Sequence, residues 1–139
     1  MINRVLDLQT LTLRQAMKPL SQAVVVTPQT SIEEVLTICR ERRLTRLPVE
    51  AEREGTKRIV GIMSLNSVIF ESDSNPDRRV AEFIKPALFM EEDLRLEVAL
   101  RRMQRSGQRL AIVLSRERRE LGIITLQDVL RFIFGDVRL

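Results

Sequence analysis

Histidine, tryptophan and tyrosine are absent from this 139-residue chain, and cysteine occurs once, at Cys39. Without histidine there is no imidazole to act as a base, so Ser-His and Cys-His triads are excluded, and a zinc site is implausible. A single cysteine excludes an intrachain disulfide. Cys39 falls on the apolar stripe Ile32, Val35, Leu36, Cys39 and reads as a small core residue. No run of about 18 apolar residues exists to span a bilayer. The N-terminus MINRVLDLQT lacks an apolar stretch of signal length. Charge of one sign is also scarce: the net charge is +4, with 10 basic and 7 acidic residues in 1–70 against 13 and 12 in 71–139. A nucleic-acid surface concentrates basic charge and interleaves aromatics, so no nucleic-acid partner is expected. No paired acid and base and no phosphate-cradling Gly-rich loop stand out, so neither an enzyme nor a metal centre is expected.

What the chain does contain is a repetition. The stretch Leu121 to Gly135, LGIITLQDVLRFIFG, runs apolar to Ile124, turns polar at Thr125, Gln127 and Asp128, and continues with helix-spaced Leu126, Val129, Leu130 and Ile133. A short buried strand thus delivers a hydroxyl and a carboxylate to the start of a helix. Free N–H groups and the positive dipole end suit an oxygen-rich ligand there. Thr125-x-x-Asp128 is equally a capping box that satisfies the helix's own donors. The same stretch occurs earlier as Gly61-Ile-Met-Ser-Leu-Asn-Ser-Val-Ile-Phe. Upstream, SIEEVLTIC (Ser31 to Cys39) matches RLEVALRRM (Arg95 to Met103), Arg46-Leu-Pro-Val matches Arg109-Leu-Ala-Ile, and Met17-Lys-Pro matches Ile84-Lys-Pro. Four blocks recurring in one order mark a tandem duplication of about half the chain.

Each half reads as strand, helix, strand, strand, helix. In the first, these are Val24–Val26, a helix capped by Ser31, Leu47–Val49, Lys57–Met63, and a helix from Ser64. In the second, they are Ala87–Met90, a helix ended by Gly107, Leu110–Leu114, Leu121–Ile124, and the helix after Thr125. Pro48 places its strand at an edge or makes it irregular. Thr12 and Gln15 predict a capping box in a lead-in over residues 1–16. The repeats are placed at 17–72 and 80–139, with a polar linker at 73–79. Neither half can bury its own faces well. The expected fold is therefore α/β, two repeats packed with pseudo-twofold symmetry.

The duplicated unit ending in Gly-Ile-x-Ser/Thr-x-x-Asp resembles a tandem CBS pair, or Bateman module, from about Met17 to Gly135. Leu13-Arg-Gln-Ala-Met-Lys-Pro19 and Thr125-Leu-Gln-Asp-Val-Leu-Arg-Phe-Ile-Phe-Gly-Asp136 resemble segments of the CorC/HlyC and CNNM families of membrane transport proteins, including magnesium and cobalt efflux proteins. The resemblance implies a regulatory module on the cytoplasmic face of a membrane, a homodimer, attached to or associated with a transport domain. It implies an adenine nucleotide as ligand (ATP, ADP or AMP, with Mg accompanying ATP). Asp128 would hold the ribose hydroxyls and Thr125 the phosphate side, with Lys85, Pro86 and Leu88 flanking the adenine. Arg109 and Arg46 are candidates for the phosphates, and otherwise solvated charges. In the first repeat Ser64 is retained but Ser67 replaces the aspartate, so one competent site and one weak, altered or empty site are expected. Arg131, Phe132 and Phe134 stand where the transport families carry acids, which favours a metal-free nucleotide or none. The competing reading is an interaction or dimerisation module that has lost ligand binding. Phe132 and Phe134 point about 200° apart on a helix, so one of them is expected to meet a partner.

Overall fold

Local caps set the helices, and a glycine in each of two strands admits a neighbouring backbone at close range. The computed structural model describes residues 11–71, 75 and 77–135. Two compact units are formed. The first is Val24–Ala87, and the second joins the described residues up to Ala23 to those from Leu88 onward.

In the first unit the Ser31 hydroxyl accepts the Glu34 N–H at 3.2 Å, starting α2 (Ile32–Arg42). Its Ile32, Val35 and Cys39 are buried, in a core with Leu47, Met63 and Phe83. β2 (Arg46–Arg53) and β3 (Thr56–Ser64) pair antiparallel, with a bulge between Val49 and Glu50. Leu65–Glu71 follows as α3. The strand expected at Val24–Val26 is reduced to one parallel bridge, Val26 to Val49. Pro48 has no N–H to extend that ladder, the bulge breaks the register beyond it, and Pro28 then turns the chain.

In the second unit a four-stranded sheet has the order β1-β6-β5-β4. These are Lys18–Pro19, Glu120–Thr125, Leu110–Leu114 and Leu88–Glu91. β4 runs parallel to β5, while β5–β6 and β1–β6 are antiparallel. α1 (Leu13–Ala16), α4 (Leu96–Ser106) and α5 (Leu126–Phe134) complete it. Gln15 Oε1 accepts from the Thr12 N–H at 2.6 Å and the Thr12 hydroxyl at 2.7 Å. Residues 1–10 of the expected lead-in, and 73, 74 and 76 of the expected linker, lie outside the described residues.

The compact units are offset from the sequence repeats. Lys18 and Pro19, from the first repeat, pair with Ile123 and Gly122 of the second. Ile84-Lys85, from the second repeat, lies on β3 of the first, where Ile62 and Lys85 exchange hydrogen bonds of 2.8 and 2.9 Å. The helical pieces move with these segments. Leu13 and Ala16 sit in the second unit's core, while Val80 and Phe83 sit in the first's.

Candidate functional site

At the end of β6 the chain passes directly into α5 through Thr125, whose backbone is still extended (φ −99°, ψ 159°). The Thr125 hydroxyl accepts the Asp128 N–H at 3.1 Å. Asp128 Oδ2 accepts the Thr125 N–H at a long 3.4 Å, and Oδ1 accepts from the Arg131 guanidinium at 3.3 Å. The capping box is therefore formed, and its carboxylate half is weak, since good N–H···O bonds fall nearer 2.9 Å. The Asp128 side chain remains 30% exposed.

Sheet register carries two further candidates to this end. Leu110 pairs with Thr125, and the Leu126 N–H donates to the Arg109 carbonyl at 2.9 Å. Leu88 is the parallel partner of Ala111. Leu88, Arg109, Thr125 and Asp128 thus share one end of one sheet, with the Arg109 side chain exposed.

The other four candidates are gathered in the first unit. Arg46 pairs with Ser64 across β2–β3, and the Leu65 N–H donates to the Thr45 carbonyl at 2.8 Å. Lys85, followed by Pro86, is bonded to Ile62. Here the Ser64 hydroxyl accepts the Ser67 N–H at 3.2 Å and donates to the Ser67 hydroxyl at 3.0 Å. The Arg46 guanidinium donates to the Thr45 hydroxyl at 3.2 Å. With no carboxylate at position 67, this end has no bidentate acceptor on its helix start.

Sequence reasoning missed Gly61, Gly122 and Lys18. A Cβ on Gly61 would fall 2.5 Å from the Lys85 carbonyl oxygen and from Ile84 Cγ2. One on Gly122 would collide with the Lys18 carbonyl oxygen and lie 3.1 Å from the Met17 sulfur. The signal was present: a glycine at the same repeat position inside each strand, where glycine otherwise weakens a sheet. A cavity of about 310 Å³ lies at the opposite end of β4 and β5 and contains none of the eight candidates. Among the described residues no three His, Cys, Asp or Glu are grouped to hold a metal. No helix among them is long and apolar enough to cross a membrane.

A CBS-domain profile matches residues 13–73 and 80–135. The chain belongs to the CBS-domain family. This CBS pair is homologous to CorC/HlyC and UPF0053 proteins. It is 23% identical over 141 aligned residues to the UPF0053 protein YhdP of Bacillus subtilis (strain 168), covering 99% of this chain and 31% of that protein. To the magnesium and cobalt efflux protein CorC of Vibrio cholerae it is 25% identical, covering 99% of this chain and 47% of that one. The CBS pair spans about a third of the length of the UPF0053 relatives it matches. Among solved structures, the CBS domain of a bacterial CNNM/CorC family Mg2+ transporter in complex with ATP superposes with a TM-score of 0.82 at 27% identity. That match covers 96% of this chain and 94% of that one. The fold expectation, an α/β chain of two CBS repeats, thus holds.

Proposed function

We propose that this CBS pair is a regulatory module that binds an adenine nucleotide through Asp128 and passes the occupancy to an ion-transport or other effector domain. The observation that carries the reading is the Asp128 carboxylate itself. It stands at a strand-to-helix junction, part-exposed, and its two internal hydrogen bonds are long. Vicinal ribose hydroxyls can replace such bonds with shorter ones to a charged acceptor. Thr125, Arg109 and Leu88 at the same sheet end supply a hydroxyl, a cation and an apolar wall. Arg46, Ser64, Lys85 and Pro86 are the equivalent candidates within the first unit. The ATP complex of the CNNM/CorC CBS domain supports a nucleotide as the ligand class, with Mg accompanying ATP. Binding would gate the effector only by favouring one conformation over another, so affinity must differ between the states. In this reading the module lies on the cytoplasmic face of the membrane and works as a homodimer.

A second reading, an interaction module without ligand, is favoured by Ser67 and by the exposure of Phe70 (83%) and Phe134 (64%). Thermal unfolding with AMP, ADP and ATP, each with and without Mg2+, separates the two. A nucleotide at a hundredfold its Kd stabilises by about 2.7 kcal/mol. The gain should be lost in Asp128→Ala and in Asp128→Asn, which keeps the shape of the side chain. If no nucleotide shifts the transition, Thr125-x-x-Asp128 is only a helix cap and the interaction reading stands.

A further inference from the structure

At the end of the second unit away from Asp128, the cavity between β4, α4 and the β5–β6 turn carries its own chemistry. We propose that it binds a small organic anion, a carboxylate or phosphate monoester with an apolar body. Its volume of about 310 Å³ lies at the small end of the roughly 300–1,000 Å³ typical of ligand sites.

Met90, Leu94 and Leu114 give it apolar walls, and the ring of Phe89, 40% exposed, borders it. Arg102 enters from α4, and its side chain makes no hydrogen bond or ion pair among the described residues. Ser115 is buried at 8% exposure. Its hydroxyl oxygen accepts the Arg119 N–H at 3.0 Å, which leaves the O–H able to donate.

Arg118 also lines the cavity, and it does so from a costly backbone. Its φ is 67°, in the left-handed region, within a turn closed by Arg118 N–H to Ser115 O and Ser115 N–H to Arg119 O, both 2.9 Å. Glycine would adopt that φ without strain. An arginine held there, lining a cavity, points from strain to use. Two guanidiniums and a hydroxyl suit an oxyanion. Glu91, also in the lining, leaves it net positive beside the two arginines.

The test is an amide chemical-shift titration of the full chain with phenylacetate, phenyl phosphate and inorganic phosphate. Phenylacetate should move Phe89, Ser115 and Arg118 saturably at millimolar concentration. The affinity should fall at least tenfold in Arg102→Gln and Arg118→Gly and stay unchanged in Asp128→Ala. Ligand-free Arg118→Gly should melt a few degrees higher, so its loss of binding cannot be misfolding. Phenyl phosphate should move the same residues and bind more tightly than inorganic phosphate. The proposal is overturned if phenylacetate gives no saturable shift there, if either arginine variant binds as well as the native chain, or if inorganic phosphate acts equally.

Discussion

A single methyl group added at Gly122 would press into the Lys18 carbonyl, and one at Gly61 into the Lys85 carbonyl. Backbone cannot yield as a flexible side chain does, so Gly122→Ala and Gly61→Ala should each cost about 1–3 kcal/mol, the usual scale of overpacking. Urea midpoints measure this, and a loss below about 0.5 kcal/mol would mean the strands part without penalty. Cys39 is buried at 5% exposure, and loss of solvent raises its pKa. The fold favours the neutral thiol, so stability is kept at neutral pH and declines as pH rises through the ordinary thiol range. Native protein at pH 8 should therefore react with a disulfide reagent far more slowly than unfolded protein, and equal rates would contradict the burial. The core role of Cys39 was legible from its helix spacing. The roles of the two glycines were not, because what each touches comes from a segment more than twenty residues away.

At the level of elements, the chain carries an internal comparison. α2 ends on Arg43 at φ 56°, whereas α4 ends on Gly107 at φ 71°. A non-glycine residue in that region is strained by roughly 1–2 kcal/mol, partly offset by glycine's greater freedom when unfolded. Arg43→Gly should then stabilise by about 0.5–1 kcal/mol, read from the denaturation midpoint; a loss would show that the Arg43 side chain matters. Thr125→Ala should cost about 1 kcal/mol through loss of the bond to the Asp128 N–H, and should leave nucleotide affinity less affected than Asp128→Ala does. Helices were readable because caps and apolar stripes are local. Val24–Val26 was over-read as a strand, since β-branched content says nothing about whether a neighbour with Pro48 and a bulge can continue the ladder. Phe132 and Phe134, one of which is expected to meet a partner, are both exposed, at 39% and 64%, because Val129 carries the buried face of α5.

For the whole molecule, the repeat announced the family and, apart from Val24–Val26, the order of elements along each half. What could not be read was which half each leading segment joins. Leu13 is fully buried with Met90, Leu96 and Val129. Leu13→Ala should therefore cost about 2–5 kcal/mol and raise hydrogen exchange in β5 and β6 rather than in β2 and β3; the reverse pattern would refute the assignment. Sequence similarity between Met17-Lys-Pro and Ile84-Lys-Pro gives equal weight to either partner, and the glycine present in both strands admits either segment. The exchange also bears on cutting the chain: each half taken alone would keep a leading segment whose partner strand belongs to the other half. The halves 1–72 and 77–139, expressed separately, should each fail to fold and should restore one another when mixed.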